Sequence, residues 1–182
     1  MGDKNKIPTL DIADIESVHN HILDWLPLIS SRNYKDYHIN SLNVINDKSN
    51  FNVRPHRKTQ HDFLFLSKGT SKRSKGLNSY EFHGPSIHFL PAYQITEHEF
   101  MSSDAEGFYC QFSESLFDLL PKKYLNEQYA FFQFQSNPVI KLSEESMINI
   151  ENILKRLVML YKAGENTNTN IVAFYLLAVF EE

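Results

Sequence analysis

The residues best equipped for chemistry lie together, in the stretch RPHRKTQHDFLFLSKG from Arg54 to Gly69. His56 carries an imidazole, Lys58 an amine and Asp62 a carboxylate. Imidazole and carboxylate are ligands for divalent metals. All three groups also suit the few polar positions that orient a small molecule in an otherwise apolar pocket. Their positions share parity. On one extended strand, where side chains alternate, they stand on the same face. If that face looks into a barrel, they supply a concave site. Lys58 and Asp62 can equally pair with each other and serve only as structure, and an exposed position without a role is the third reading.

The other candidates carry two readings each. Tyr80 and Phe82 share a strand face, as do Tyr109 and Gln111, and either pair can floor a pocket or simply fill a core. His88, in SIHFL, either contacts a ligand or is a satisfied core histidine, with the second favoured. His98 stands between Glu97 and Glu99, which places it on the solvated face of a strand, where it can also tune a pH response. His19 and His21 form a His-x-His that points apart on a helix and reads as a surface pair. The run KGTSKRSKG carries Lys68, Lys72, Arg73 and Lys75. A basic loop can touch phosphates, but a solvated hairpin tip is the simpler reading. Cys110 is the single cysteine. It excludes an intrachain disulfide and a Cys-x-x-Cys zinc site, and it reads as a buried, inert thiol in a reducing cytoplasm. No Gly-x-Ser-x-Gly, phosphate-binding glycine loop or His-Glu-x-x-His is present, so catalysis by a nucleophile finds no support and the chain is expected not to be an enzyme.

These residues need elements to position them. The 182 residues fit one domain, and 42% hydrophobic with 13% aromatic content suffices for a core. A net charge of −4 argues against a nucleic-acid-binding surface. The opening MGDKNKIPTL lacks an apolar signal core, and Lys6 stands where myristoylation needs Ser or Thr. No apolar run reaches membrane-spanning length, so no membrane is expected. Residues 1–50 form a poorly assigned arm, with IESVHNHILDWL as a short helix and YHINSLNVI as a strand. From residue 51 to 140 short aromatic and β-branched runs alternate with Gly, Pro, Ser and Asp. HDFLFLS, LNSYEF, SIHFL, QITEHEF and GFYCQF read as strands of a sandwich or barrel. SESLFDLL reads as a short helix capped by Ser113 and closed by Pro121.

Residues 141–182 read as a helical hairpin. Ser143 caps the first helix, Glu144 and Glu145 suit its first turn, and Gly164 ends it. Met147, Ile150, Leu154, Leu157 and Tyr161 form one apolar stripe, widened by Ile153, Val158 and Leu160. After ENTNTN, the helix IVAFYLLAVFEE is apolar almost all round and must be buried by something. The abrupt stop after it suggests a fragment.

The order of these pieces carries a resemblance. A strand PHRKTQHDFLFLSKG, a hairpin, YEFHGPSIHFLPAYQ, EGFYCQFSESLF, a Phe-rich segment with Asn137-Pro138 and two helices resemble the N-terminal regulatory domain of AraC-type transcriptional regulators. The likeness runs over residues 50–182. It implies a mainly β fold, a cupin-like antiparallel β-barrel (double-stranded β-helix), followed by a helical hairpin. It implies a small-molecule effector in the barrel, with His56, Lys58, Asp62, Tyr80, His88, Tyr109 and Gln111 as its contacts. It implies a homodimer through Ile150, Ile153, Leu154, Leu157, Val158 and Tyr161, and DNA contact only through a helix-turn-helix domain beyond residue 182. Metal-binding cupins offer an alternative, a metal-dependent isomerase or dioxygenase. Laid on this chain, their four ligands fall on His56, Lys58, Asp62 and Ile95. Lysine is cationic at neutral pH and isoleucine is not a ligand, so neither metal nor other cofactor is expected.

Overall fold

A computed structural model describes residues 7–11, 36–45, 47–49, 51–121, 123–163 and 168–182. Its strands are β1 (Thr9–Leu10), β2 (Tyr37–Ser41), β3 (Val53–Lys58), β4 (His61–Lys68), β5 (Thr70–Lys75), β6 (Asn78–His83), β7 (Ser86–Leu90), β8 (Thr96–Met101), β9 (Glu106–Phe112) and β10 (Val139–Lys141). The helices are α1 (Tyr124–Gln128), α2 (Glu144–Ala163) and α3 (Thr169–Glu181), with 3₁₀ turns at Leu42–Val44, Glu114–Phe117 and Ala130–Phe132. The strands form a front sheet, β1-β3-β8-β5-β6, and a middle sheet, β10-β7-β4-β9-β2. Apart from the parallel β1–β3 pair, the pairings are antiparallel. The mainly β, cupin-like barrel with C-terminal helices is therefore the fold. Strands from residues before 51 also join it, β1 in the front sheet and β2 in the middle one.

Period two explains the layers. Strand β4 is covered on both faces, so its first six residues are all buried. Phe63 and Phe65 point one way and join Phe89, Phe108 and Phe112 in a core shared with α2 and α3. Leu64 and Leu66 point the other way and meet Phe82 and Met101 of the front sheet. The middle sheet thus separates an aromatic core under the helices from the inside of the barrel. Beside it, Gly107 has φ +149°, and a Cβ there would lie 2.0 Å from the Phe65 carbonyl oxygen. Only glycine lets β9 approach β4 so closely.

The helices start where their caps predict. The Ser143 hydroxyl accepts from the Ser146 N–H at 3.0 Å, and Asn168 Oδ1 accepts from the Asn170 N–H at 2.9 Å. Ser113 caps the 3₁₀ turn that stands where a short helix was expected. The first N-terminal helix expected from sequence, His19 and His21 within it, and the Gly164 stop lie outside the described residues.

Three expectations change. The stretch from Arg54 to Gly69 is two strands, not one, because Thr59 and Gln60 turn the chain from the front sheet into the middle one. KGTSKRSKG is not a hairpin tip. Its centre is β5, whose Ser71, Arg73 and Lys75 are buried while Thr70, Lys72 and Ser74 are only partly covered. The helical stripe is not a free dimer face either. Ile150, Leu154, Leu157 and Tyr161 lie in the chain's own core at 0–1% exposure, with Ile153 and Val158 packed at its edge. The outward apolar residues of the helices are Ile148, Met159, Ile171 and Phe174.

Candidate functional site

The two turns and two sheets bring the chemistry of β3, β4 and β5 to one place. Strand β3 delivers His56 and Lys58 from the front sheet. Asp62, second residue of β4 in the middle sheet, is paired across the strands with Gln111 on β9 and Leu90 on β7. Leu64, next on that face, has Tyr109 on one side and His88 on the other. Facing them, Arg73 on β5 is flanked by Tyr80 on β6 and His98 on β8.

Asp62 is the hub. It is 0% exposed and holds two cations at once. Lys58 Nζ donates to its Oδ2, and Arg73 Nη2 donates to its Oδ1 at 3.0 Å. The ring of Tyr109 lies under both, 5.4 Å from Lys58 Nζ and 5.9 Å from Arg73 Cζ, a cation–π arrangement. Burial alone would raise the Asp62 pKa, but Arg73 and Lys58 outweigh it and hold the carboxyl at about 2. Burial pulls Lys58 down to about 8, with Asp62 opposing and Arg73 adding to the fall.

A cavity of about 70 Å³ lies over this hub, with about 770 Å³ of empty space once its mouth is counted. Its walls are mostly apolar, with Leu10, Leu42, Ile45, Val53, Leu64 and Met101 among them. Its polar lining is Asn40, Ser41, His56, Lys58, Arg73, His98 and Gln111, with Tyr109. This is the composition of a small-molecule site. His56 Nδ1 donates to the Arg54 carbonyl at 2.8 Å, which fixes its ring. His98 Nε2, and Arg73 Nε and Nη1, are buried without a hydrogen bond. Burial, with Arg73 and Lys58 adding to it, lowers His98 to about 3, so the ring is neutral.

At the rim of the middle sheet a second polar chain leaves the cavity. Asn40 Nδ2 donates to His38 Nε2 at 2.8 Å, and His38 Nδ1 meets the Tyr161 hydroxyl of α2 at 2.8 Å. His38 is held neutral by burial, near 4. Its Nε2 accepts, so Nδ1 carries the proton and donates it to Tyr161. The Asn40 side-chain oxygen is buried and has no hydrogen bond.

Of the residues the sequence singles out, His56, Lys58, Tyr109 and Gln111 line the cavity and Asp62 lies beneath it. Lys58 and Asp62 do pair, as one reading held, and the pair still faces the cavity. Tyr80 and His88 are not in the lining. Tyr80 is half-buried beside Arg73, and His88 stacks on Phe82 at 5.2 Å between ring centres. His88 is not a satisfied core histidine, since neither ring nitrogen has a hydrogen bond. His98 is not on the solvated face. Glu97 and Glu99 take that face, and the alternation of β8 turns His98 inward. Asn40 is not singled out by the sequence, and Arg73 and His98 are named there but placed in solvent rather than in the cavity. The signal for Arg73 was present: a carboxylate inside HDFLFL needs cations, and Gly69 and Gly76 bracket a segment of strand length. Among the described residues, no group of three or more His, Cys, Asp or Glu side chains is placed to hold a metal ion, and no helix is long and apolar enough to cross a membrane.

No protein-family model matches the chain, and no curated protein does. Solved structures do. ToxT from Vibrio cholerae is 12% identical with a TM-score of 0.41, over 81% of this chain and 55% of that one. A cupin-2 domain protein from Shewanella frigidimarina is 12% identical with a TM-score of 0.35, over 57% of this chain and 93% of that one. The AraC-like transcriptional activator CuxR is 14% identical with a TM-score of 0.42, over 68% of this chain and 40% of that one. The chain thus spans about half the length of ToxT and less than half that of CuxR.

Proposed function

We propose that this chain is the effector-sensing and dimerisation domain of an AraC-type transcription regulator, with a small organic molecule bound in the barrel without metal. The observation that carries the reading is the apolar cavity over the Lys58–Asp62–Arg73 hub. The element order supports the AraC assignment, and DNA contact would fall to a helix-turn-helix domain beyond residue 182. The ligand acts by favouring one arrangement of barrel and helices over another, which changes how attached domains are presented. The homodimer uses the outward apolar residues of α2 and α3, Ile148, Met159, Ile171 and Phe174, rather than the buried stripe. The alternative, a metal-dependent isomerase or dioxygenase, meets two cations in the cavity, and both repel a divalent ion.

Native mass spectrometry of the gently purified chain tests this. A metal-free dimer, with or without an added organic mass, is the expected species. A stoichiometric divalent metal would overturn the sensor reading. Phe174→Glu should shift the population to monomer, and a wild-type mass that stays monomeric at high concentration would sink the dimer.

A further inference from the structure

We infer that the effector is an amphipathic monoanion, with a carboxylate-like head on Arg73 and Lys58 and a slender apolar body against Leu42, Leu64 and Met101. This rests on the barrel being the ligand site and names the chemistry that site selects. The first ground is charge. Lys58 and Arg73 bring two positive charges to a buried hub and Asp62 supplies one negative charge. The charged side chains acting on Lys58 are those two partners. His98, paired with Arg73 across the front sheet, is neutral, and His56, two residues before Lys58 on β3, brings no negative charge. Within this buried hub, among the described residues, one positive charge is left over, and an uncompensated buried charge is costly.

The second ground is geometry. Arg73 is 3% exposed and lines the cavity. Asp62 takes only its Nη2, and Nε and Nη1 remain buried without a hydrogen bond. A guanidinium offers a planar set of donors that matches a carboxylate. Water can accept those hydrogen bonds but cannot neutralise the charge. An anion does both. The third ground is the rest of the lining, which is chiefly hydrocarbon and excludes a polyanion or a heavily hydroxylated molecule. Among the described lining residues, a second anionic group would find no further lysine or arginine.

The test uses three probes of one shape, phenylbutyrate, phenylbutanol and phenylbutylammonium, titrated calorimetrically into the whole chain. Phenylbutyrate should bind at least about tenfold more tightly than the alcohol, as a charged hydrogen-bonded pair implies, and the ammonium should bind weakest. In Arg73→Met the preference for carboxylate over alcohol should vanish while alcohol binding persists. If that variant does not fold, Arg73→Lys keeps the charge but loses the fork, and the preference should fall several-fold. Equal binding of phenylbutyrate and phenylbutanol to the wild type would overturn the anion assignment and leave the barrel site standing. Binding of none of the three would overturn both. A carboxylate preference unchanged in Arg73→Met or Arg73→Lys would remove Arg73 as the anchor and end the proposal.

Discussion

The two faces of the middle sheet are built from alternate residues of the same strands, and they solve opposite problems. Toward the helices β4, β7 and β9 present Phe63, Phe65, Phe89, Phe108, Cys110 and Phe112. These pack with rings from the helical side, Phe89 on Phe131 at 4.0 Å and Phe112 against Phe180 at 5.7 Å between centres. Toward the barrel the same strands present Asp62, Leu64, His88, Tyr109 and Gln111. One face is dry and filled. The other is charged, under-bonded and partly hollow. The difference teaches where stability and selectivity reside. Close-packed aromatic surface drives folding, while buried charges are weak contributors to stability and strong discriminators of ligands.

Substitutions can break or sharpen that contrast. The largest effect is expected on the filled face. Phe112→Ala should cost about 3–5 kcal/mol of unfolding free energy in a denaturant titration, with the cavity lining intact. Asp62→Asn comes next on the hollow face. It leaves Lys58 and Arg73 buried without a counter-charge and should cost about 3 kcal/mol. The acid limb of the stability curve checks the cause. With Asp62 at about 2 when folded and 3.8 as its ordinary value, its contribution is complete above pH 3.8 and is lost as pH falls toward 2. In Asp62→Asn that part of the acid limb should flatten. Parallel curves for the two proteins would mean that the hub is not the charged element claimed here. Enlarging a side chain separates the faces more finely. Cys110→Leu overfills the packed side and should cost about 1–3 kcal/mol. Leu64→Phe grows into the cavity and should cost less than about 1 kcal/mol while abolishing ligand binding. Equal costs would contradict the picture of one filled and one hollow face. Ser143→Ala, on neither face, removes the cap of α2 and should cost about 1 kcal/mol with no change in the binding of a ligand.

Much of the fold was legible because it follows from local rules. Aromatic and β-branched runs between turn residues gave β4, β6, β7, β8 and β9 but not β5, and Ser143 with its acidic first turn gave α2. The stripe Ile150-Leu154-Leu157-Tyr161 was legible as a buried face, but periodicity does not say what buries it, and the partner is the chain's own aromatic sheet. The site was half legible. His56 with Lys58, and Tyr109 with Gln111, were found by parity along strands, whereas Asp62 was grouped with the first pair on one strand and meets Lys58 from the other sheet, across the turn. Arg73 was not found this way, because Thr70–Lys75 contains no apolar residue to mark its inward face, so its charges read as solvated. His98 was missed for the same reason, since the glutamates on both sides made its strand look wet. What decides both cases is a tertiary demand. A carboxylate sealed inside HDFLFL has to draw cations from elsewhere in the chain.

The chain Asn40–His38–Tyr161 has a direction. Asn40 now turns its amide nitrogen to His38 and its oxygen to no partner, so the proton on His38 sits at Nδ1, toward α2. Rotating the Asn40 amide by half a turn would move that proton to Nε2 and make Tyr161 the donor. The wall of the cavity and the buried side of the helix therefore share one binary variable, the polarity of a hydrogen-bond wire. The two imidazole nitrogens of His38 report its setting separately, and nitrogen NMR would read at the helix which way the wire points at the cavity.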